Sequence, residues 1–209
     1  MVPRDFAPIL GLFLWDWKGD NMKNNILIYL VSGRARNGKG TVSDILKKQY
    51  EAKGLRVCEI QVMRTLKGYL KDYFGWDGSE ETKPRKMLQE IGTELIRDKM
   101  NQPNFHINRL IEDIMVLSNF FDVFIVNDIR LPIEIETIKD KFNNVVSINV
   151  TREGYVSPLE ASEQVHITEL ALNDYKKFDY EIVNCSLNQL TNDIIKIVDS
   201  EVIKNEIYD

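Results

Sequence analysis

Cysteine is almost missing from this sequence. Two cysteines, Cys58 and Cys185, stand among 209 residues, too few for a disulfide framework. Both read as reduced thiols behaving as small hydrophobes, which fits a reducing, cytoplasmic setting. An excess of positive charge is missing too. Lys and Arg number 27 against 32 Asp and Glu, a net charge of -5, whereas a dedicated nucleic-acid binder is usually basic. No nucleic-acid partner is expected, although basic groups converging locally on an acidic chain can still hold a phosphorylated small molecule. No run reaches the roughly 18 apolar residues of a membrane helix, so no membrane partner is expected either. The opening "MVPRDFAPILGLFLWDWKGDN" only imitates a secretory signal. Pro8 interrupts its apolar run, Trp15-Asp16-Trp17 follows, and no small-residue cleavage site appears. Met22 is a second possible start just before the first strand. Residues 1–21 therefore read as an upstream start or a peripheral extension, and residues 22–209 as one domain.

What is present is alternation. Ile26 to Val31 is a continuous apolar run closed by Ser32-Gly33, as a buried parallel strand requires. Residues 40–53 follow with helical spacing at Val42, Ile45, Leu46 and Tyr50, and Gly54 supplies a stop. Further strands are read at "LRVCEIQV", "FDVFIVND", "VVSINV" and "YEIVN". Helices are read over 65–76, 85–100, 104–119, 132–141, 160–172 and from Ser186 onward, with Asn104 as a cap. The pattern predicts an α/β fold with a parallel sheet of about five strands and helices on both faces. The helical stretch 63–119 departs from the alternation. It is expected near the carboxyl edge of the sheet, where open α/β folds bind ligands.

"SGRARNGKGT" leaves the first strand and opens the first helix. Glycines let the backbone curl so that its N–H groups surround phosphate oxygens, the helix N-terminus adds partial positive charge, and Lys39 adds a full one. The plain alternative is a strand-to-helix turn that happens to hold a lysine. Gly40 stands where many phosphate loops carry Ser or Thr, and Thr41 follows. "GKGT" ends the loop in adenylate kinases and related nucleoside monophosphate kinases, so Thr41 is the hydroxyl expected near phosphate and metal.

Two other segments carry chemistry. Asp128 lies at the carboxyl end of a buried strand, where a carboxylate can hold the water ligands of Mg²⁺, and Arg130 follows two residues on. In "PRKMLQEIGTELIRDKM", Met87, Leu88, Ile91 and Leu95 form an apolar stripe, while Arg85, Gln89, Thr93 and Arg97 recur every four residues and share one side. A planar guanidinium binds two phosphate oxygens at once, so this row suits an anionic nucleotide. The plain alternatives are a loop aspartate with a surface arginine, and a solvated helix face.

Taken in order, these segments resemble the phosphate-loop deoxynucleoside monophosphate kinases of phages and bacteria. The resemblance covers residues 26 to about 198. It rests on "SGRARNGKGT", on "PRKMLQEIGTELIR" followed by "PNFHINRL", on "NDIRLPIEIETI", and on the late "EASE" and "FDYEIVNCSLNQL". It implies a three-layer P-loop fold with a helical insertion that binds the acceptor, and transfer of the γ-phosphoryl group of ATP, with Mg²⁺, to a (deoxy)nucleoside monophosphate. Gly33, Arg36, Asn37, Gly38, Lys39, Gly40 and Thr41 would cradle the donor phosphates. Arg85, Gln89 and Arg97 would hold the acceptor. Thr41 and Asp128 would serve the metal. Lys39, Asp128 and Arg130 would act at the transferring group, joined by Arg152 as a lid arginine in a short loop, 151–160. A homodimer is left open. The family often carries a histidine before the late Ser-Glu pair, where this chain has Glu160, Ala161, Ser162 and Glu163. His106 and His166 read as packing histidines. Two rival readings remain: a phosphomevalonate kinase of the animal type, which shares a similar loop and Asp-x-Arg run, and a non-catalytic nucleotide-binding module.

Overall fold

β1, Leu27–Ser32, buries all six of its residues, and its side chains divide between two cores. Tyr29 and Val31 pack with Val42, Leu46 and Leu190, while Ile28 and Leu30 pack with Leu110, Ile114 and Ile135. Successive side chains of a strand point to opposite faces, so a strand covered on both sides must be apolar at every position. Truncating Ile28 or Leu30 to alanine would cost about 2–5 kcal/mol.

The computed structural model describes residues 26–154, 156 and 166–205. The remaining strands are β2, Val57–Ile60; β3, Val123–Ile129; β4, Val145–Thr151; and β5, Tyr180–Val183. They form one sheet in the order β2-β3-β1-β4-β5, and every neighbouring pair is parallel. The helices are α1, Lys39–Ala52; α2, Arg64–Phe74; α3, Arg85–Gln89; α4, Phe105–Leu117; α5, Pro132–Lys141; α6, Ile167–Leu170; and α7, Leu187–Asn205. Residues of α1 and α7 complete the core on one face of the sheet, and those of α4 and α5 complete it on the other. This is the parallel α/β arrangement expected from the alternation, and the three-layer P-loop fold that the resemblance implies. The chain leaves β1 toward β2 on one side, and enters β4 on the other side from β3. The carboxyl end of β1 therefore lies at the crevice where such sheets bind ligands.

Two elements differ from expectation. The single helix expected over 85–100 is α3 followed without a break by a π-helix, Glu90–Lys99. A π-turn holds more residues than the 3.6 of an α-turn, so a row spaced by four drifts one way round the helix in α3 and back the other way in the π-helix, which keeps its members on one side. Gly92 lets the helix press close, since a Cβ there would lie 2.8 Å from the Met63 Cε. The helix expected over 160–172 is, among the described residues, only α6. Turns closed by Asn173 N–H to Leu170 O at 2.9 Å and Tyr175 N–H to Leu172 O at 3.3 Å follow it. The N-terminal extension, residues 155 and 157–160 of the loop expected at 151–160, and the "EASE" segment lie outside the described residues. Among those described, no helix is long and apolar enough to cross a membrane.

Candidate functional site

The loop after β1 is fastened to the sheet by contacts that leave no room for side chains. Gly33 has φ +143, and a Cβ there would sit 2.4 Å from the Val150 carbonyl oxygen. Asn37 is buried, and its Nδ2 donates to that same oxygen at 3.1 Å. Asn184, just past β5, donates from Nδ2 to the Asn37 carbonyl at 3.0 Å. It also closes off Gly38, which has φ +106 and whose Cβ would meet the same Nδ2 at 2.4 Å. Gly40 is different: a Cβ there would have nothing within 4 Å. Its place in the first turn of α1 faces open space, and Thr41 follows half-buried.

Lys39 turns back across the loop. Its Nζ donates to Gly33 O at 2.8 Å and to Arg34 O at 3.0 Å. Burial lowers its pKa to about 7, with Arg130 adding to the effect and Glu169 and Asp128 opposing it. An ammonium so placed gains from any phosphate oxygen that enters. Arg36 is exposed, with φ 57. The arginine facing the second of two cavities beside the loop is Arg34 instead, which donates from Nη2 to Asn173 Oδ1 at 3.1 Å.

The first cavity gathers the other candidates. Arg85, Gln89, Thr93 and Arg97 line it together, and Asp128 and Arg130 face them from the end of β3. The row spaced by four is thus one wall of a crevice. Both oxygens of Asp128 accept main-chain N–H groups, Val62 at 2.8 Å and Met63 at 3.2 Å, which fixes the start of α2. Arg130 pairs with Glu169 of α6, Nη1 to Oε1 at 2.8 Å. Arg97 pairs with Glu134 at 2.7 Å, the two side chains being 12% and 4% exposed. Glu134 also accepts the N–H groups of Arg130 at 2.8 Å and Leu131 at 3.1 Å, closing the start of α5. Burial raises the Glu134 pKa, and Arg97 opposes that. Arg85 pairs with Glu80, as does Lys83 at 2.9 Å. Arg130, Thr168 and Glu169 also line the second cavity, so the two cavities meet at the Arg130–Glu169 pair. Arg152 lies exposed just past β4 and lines neither cavity.

Sequence reasoning missed four side chains of this crevice. Glu134 lay in plain view, four residues after Arg130 in "NDIRLPIE", where a capping carboxylate is a recognisable signal. Lys67, Lys83 and Glu169 carry no local signature. The histidines have structural places. His106 is fully buried on α4, behind Gly92 of the π-helix, and burial first, then Arg97, lowers its pKa to about 4. His166 caps α6, its Nδ1 accepting from Thr168 N–H at 3.3 Å.

The donor set near the loop, a threonine hydroxyl and an aspartate carboxylate, is hard oxygen chemistry that suits Mg²⁺. Among the described residues there is no group of three His, Cys, Asp or Glu side chains placed to hold a metal. That is compatible with an ion that takes most of its ligands from water and substrate phosphates.

No protein-family model matches the chain. It is 29% identical over 126 residues to a protein of Acanthamoeba polyphaga mimivirus described as "Putative deoxynucleotide monophosphate kinase", a match covering 56% of this chain. The match spans 62% of that viral protein, less than two thirds of its length. Among solved structures, the APS kinase CysC of Mycobacterium tuberculosis in complex with AMPPNP and APS superposes on this chain with a TM-score of 0.51 at 10% identity. That superposition covers 84% of this chain and 98% of the other. At such identity the likeness concerns the fold, a P-loop α/β sheet with its helices.

Proposed function

We propose that the chain transfers the γ-phosphoryl group of ATP to a (deoxy)nucleoside monophosphate, giving the diphosphate. The observation that carries this reading is the meeting of the two cavities. The loop holding Lys39 opens on one side of Arg130, and the wall of Arg85, Gln89 and Arg97 stands on the other. An acceptor on that wall would have its phosphate beside Arg130, in reach of a donor on the loop.

Phosphoryl transfer asks little covalent chemistry of the protein. It needs reactants held in line and positive charge where oxygens gain negative charge. Lys39 and the loop N–H groups would hold the donor phosphates. Arg130 would leave Glu169 for the transferring group, and the monophosphate of the acceptor, already an anion, needs no strong base. Bound Mg²⁺ would supply charge neutralisation between donor oxygens, with Thr41 as its hydroxyl neighbour. Asp128, whose two oxygens each accept one N–H group and keep acceptor capacity, would serve the metal directly or through its water ligands. Arg152 belongs to the proposal as a group that closes over ATP.

The test is a panel: ATP and Mg²⁺ with each deoxynucleoside and ribonucleoside monophosphate, and with mevalonate phosphate, followed by ADP release. Release that depends on a nucleoside monophosphate is expected. Release with mevalonate phosphate alone would favour the animal-type phosphomevalonate kinase. ATP binding with no acceptor-dependent release would favour a non-catalytic module.

A further inference from the structure

We propose that Lys67 reads the phosphate of the ligand bound in the first cavity, contacting the monophosphate of the nucleotide through its ammonium. The proposal rests on reading that cavity as the acceptor site. Lys67, Lys83, Arg85, Arg97 and Arg130 are the cations that line it among the described residues. The last four face carboxylates: Lys83 and Arg85 face Glu80, Arg97 faces Glu134, and Arg130 faces Glu169. Lys67 does not. Its Nζ donates to the neutral amide oxygen Oε1 of Gln61 at 2.6 Å. Gln61 in turn donates from Nε2 to Asn127 Oδ1 at 3.1 Å. Two amides in series aim the ammonium without neutralising it. A paired guanidinium must loosen from its carboxylate before it can serve a ligand, whereas Lys67 meets an incoming anion with its charge uncompensated by a salt bridge.

The main chain holds Lys67 in that place. Asp128 accepts the N–H groups of Val62 and Met63, and the Lys67 N–H bonds to Met63 O at 2.9 Å. The first turn of α2 is therefore pinned to the same strand end that carries Asp128 and Arg130. Burial lowers the Lys67 pKa, Asp128 and Glu80 oppose this, and Lys83 and Arg130 reinforce it. A phosphate dianion brought beside it would favour the charged form and oppose that lowering.

Calorimetric titration of the full chain tests this. The probes are the four deoxynucleoside 5′-monophosphates, each against its unphosphorylated nucleoside, on wild type, Lys67→Gln, Lys67→Met and Lys67→Arg. Wild type should prefer monophosphate over nucleoside. Lys67→Gln and Lys67→Met should shrink that preference by about tenfold or more, the worth of a charge-assisted hydrogen bond, and Lys67→Arg should keep part of it. ATP affinity and the melting temperature should stay near wild type in a variant that scores. If either neutral variant keeps the wild-type preference, the inference is overturned while the acceptor reading stands. If wild type itself shows no preference for monophosphate, the acceptor reading is overturned and this inference with it.

Discussion

Gly33, Asn37 and Lys39 lie within one short turn, whereas Lys67, Arg97, Arg130 and Glu169 come from separate elements that the sheet brings together. The two sides of the crevice are also stiffened differently. On the loop side, main-chain groups and neutral amides do the holding: Gly33 rests against Val150 O, and Asn37 and Asn184 bond across to β4 and to the loop. On the helical side the holding groups are ion pairs, Arg97 with Glu134 and Arg130 with Glu169. A backbone cradle is rigid and recognises any phosphate. A set of paired guanidiniums is held apart until an anion of the right shape competes with the carboxylates. The difference suits a common donor on one side and a selected acceptor on the other.

Lys39→Ala should have the largest effect. It removes the ammonium from the cradle and should bring phosphoryl transfer to background in the acceptor panel, while circular dichroism stays that of wild type. Wild-type turnover in this variant would break the assignment of the loop. Next comes Glu134→Ala on the opposite side. It strips the partner from the nearly buried Arg97 and from two main-chain N–H groups, and should cost about 3 kcal/mol in urea unfolding. A loss well under about 1 kcal/mol would mean the helical wall does not depend on its ion pairs. Gly33→Ala should cost about 2 kcal/mol, because φ +143 and the Val150 carbonyl both resist a Cβ.

A smaller effect concerns protons. The free protein holds Lys39 at a pKa of about 7, and bound phosphate favours the charged form. The complex therefore holds more protons than the free protein as pH rises through 7. ATP binding should take up roughly half a proton at pH 7 and weaken above it. Titration in buffers of different ionisation enthalpy reads this directly, and Lys39→Met should abolish the uptake. The smallest effect is expected at Gly40→Ala. It has open space around its Cβ and lies in the first turn of α1, so alanine should stabilise the free protein by about 0.5 kcal/mol. Opposite signs at Gly33 and Gly40 would separate a glycine that the fold needs from one that it does not.

The sheet was readable in the sequence because buried parallel strands are apolar over continuous runs, as in "ILIYLV" and "VFIV", and because each is followed by a turn and a helical pattern. The loop was readable because its chemistry is contiguous. Arg85, Gln89 and Arg97 were found by their spacing, although that spacing assumed an α-helix and the wall continues as a π-helix. Lys67 and Glu169 could not be found this way. Their importance comes from which groups β3 and α6 bring near them, and nothing within a few residues of either announces it. Arg34 in place of Arg36 at the second cavity has a similar cause. Arg36 takes the left-handed conformation in the loop, and which of two nearby arginines faces inward depends on that turn.

The central claim is that one crevice holds a donor and an acceptor across Arg130. The direct measurement is transfer of a radiolabelled γ-phosphoryl group from ATP, with each nucleoside monophosphate offered in turn, followed by separation of the products. Label appearing in a nucleoside diphosphate made from the added acceptor is the result expected. Label remaining in ATP, or released only as inorganic phosphate whichever acceptor is present, would contradict it.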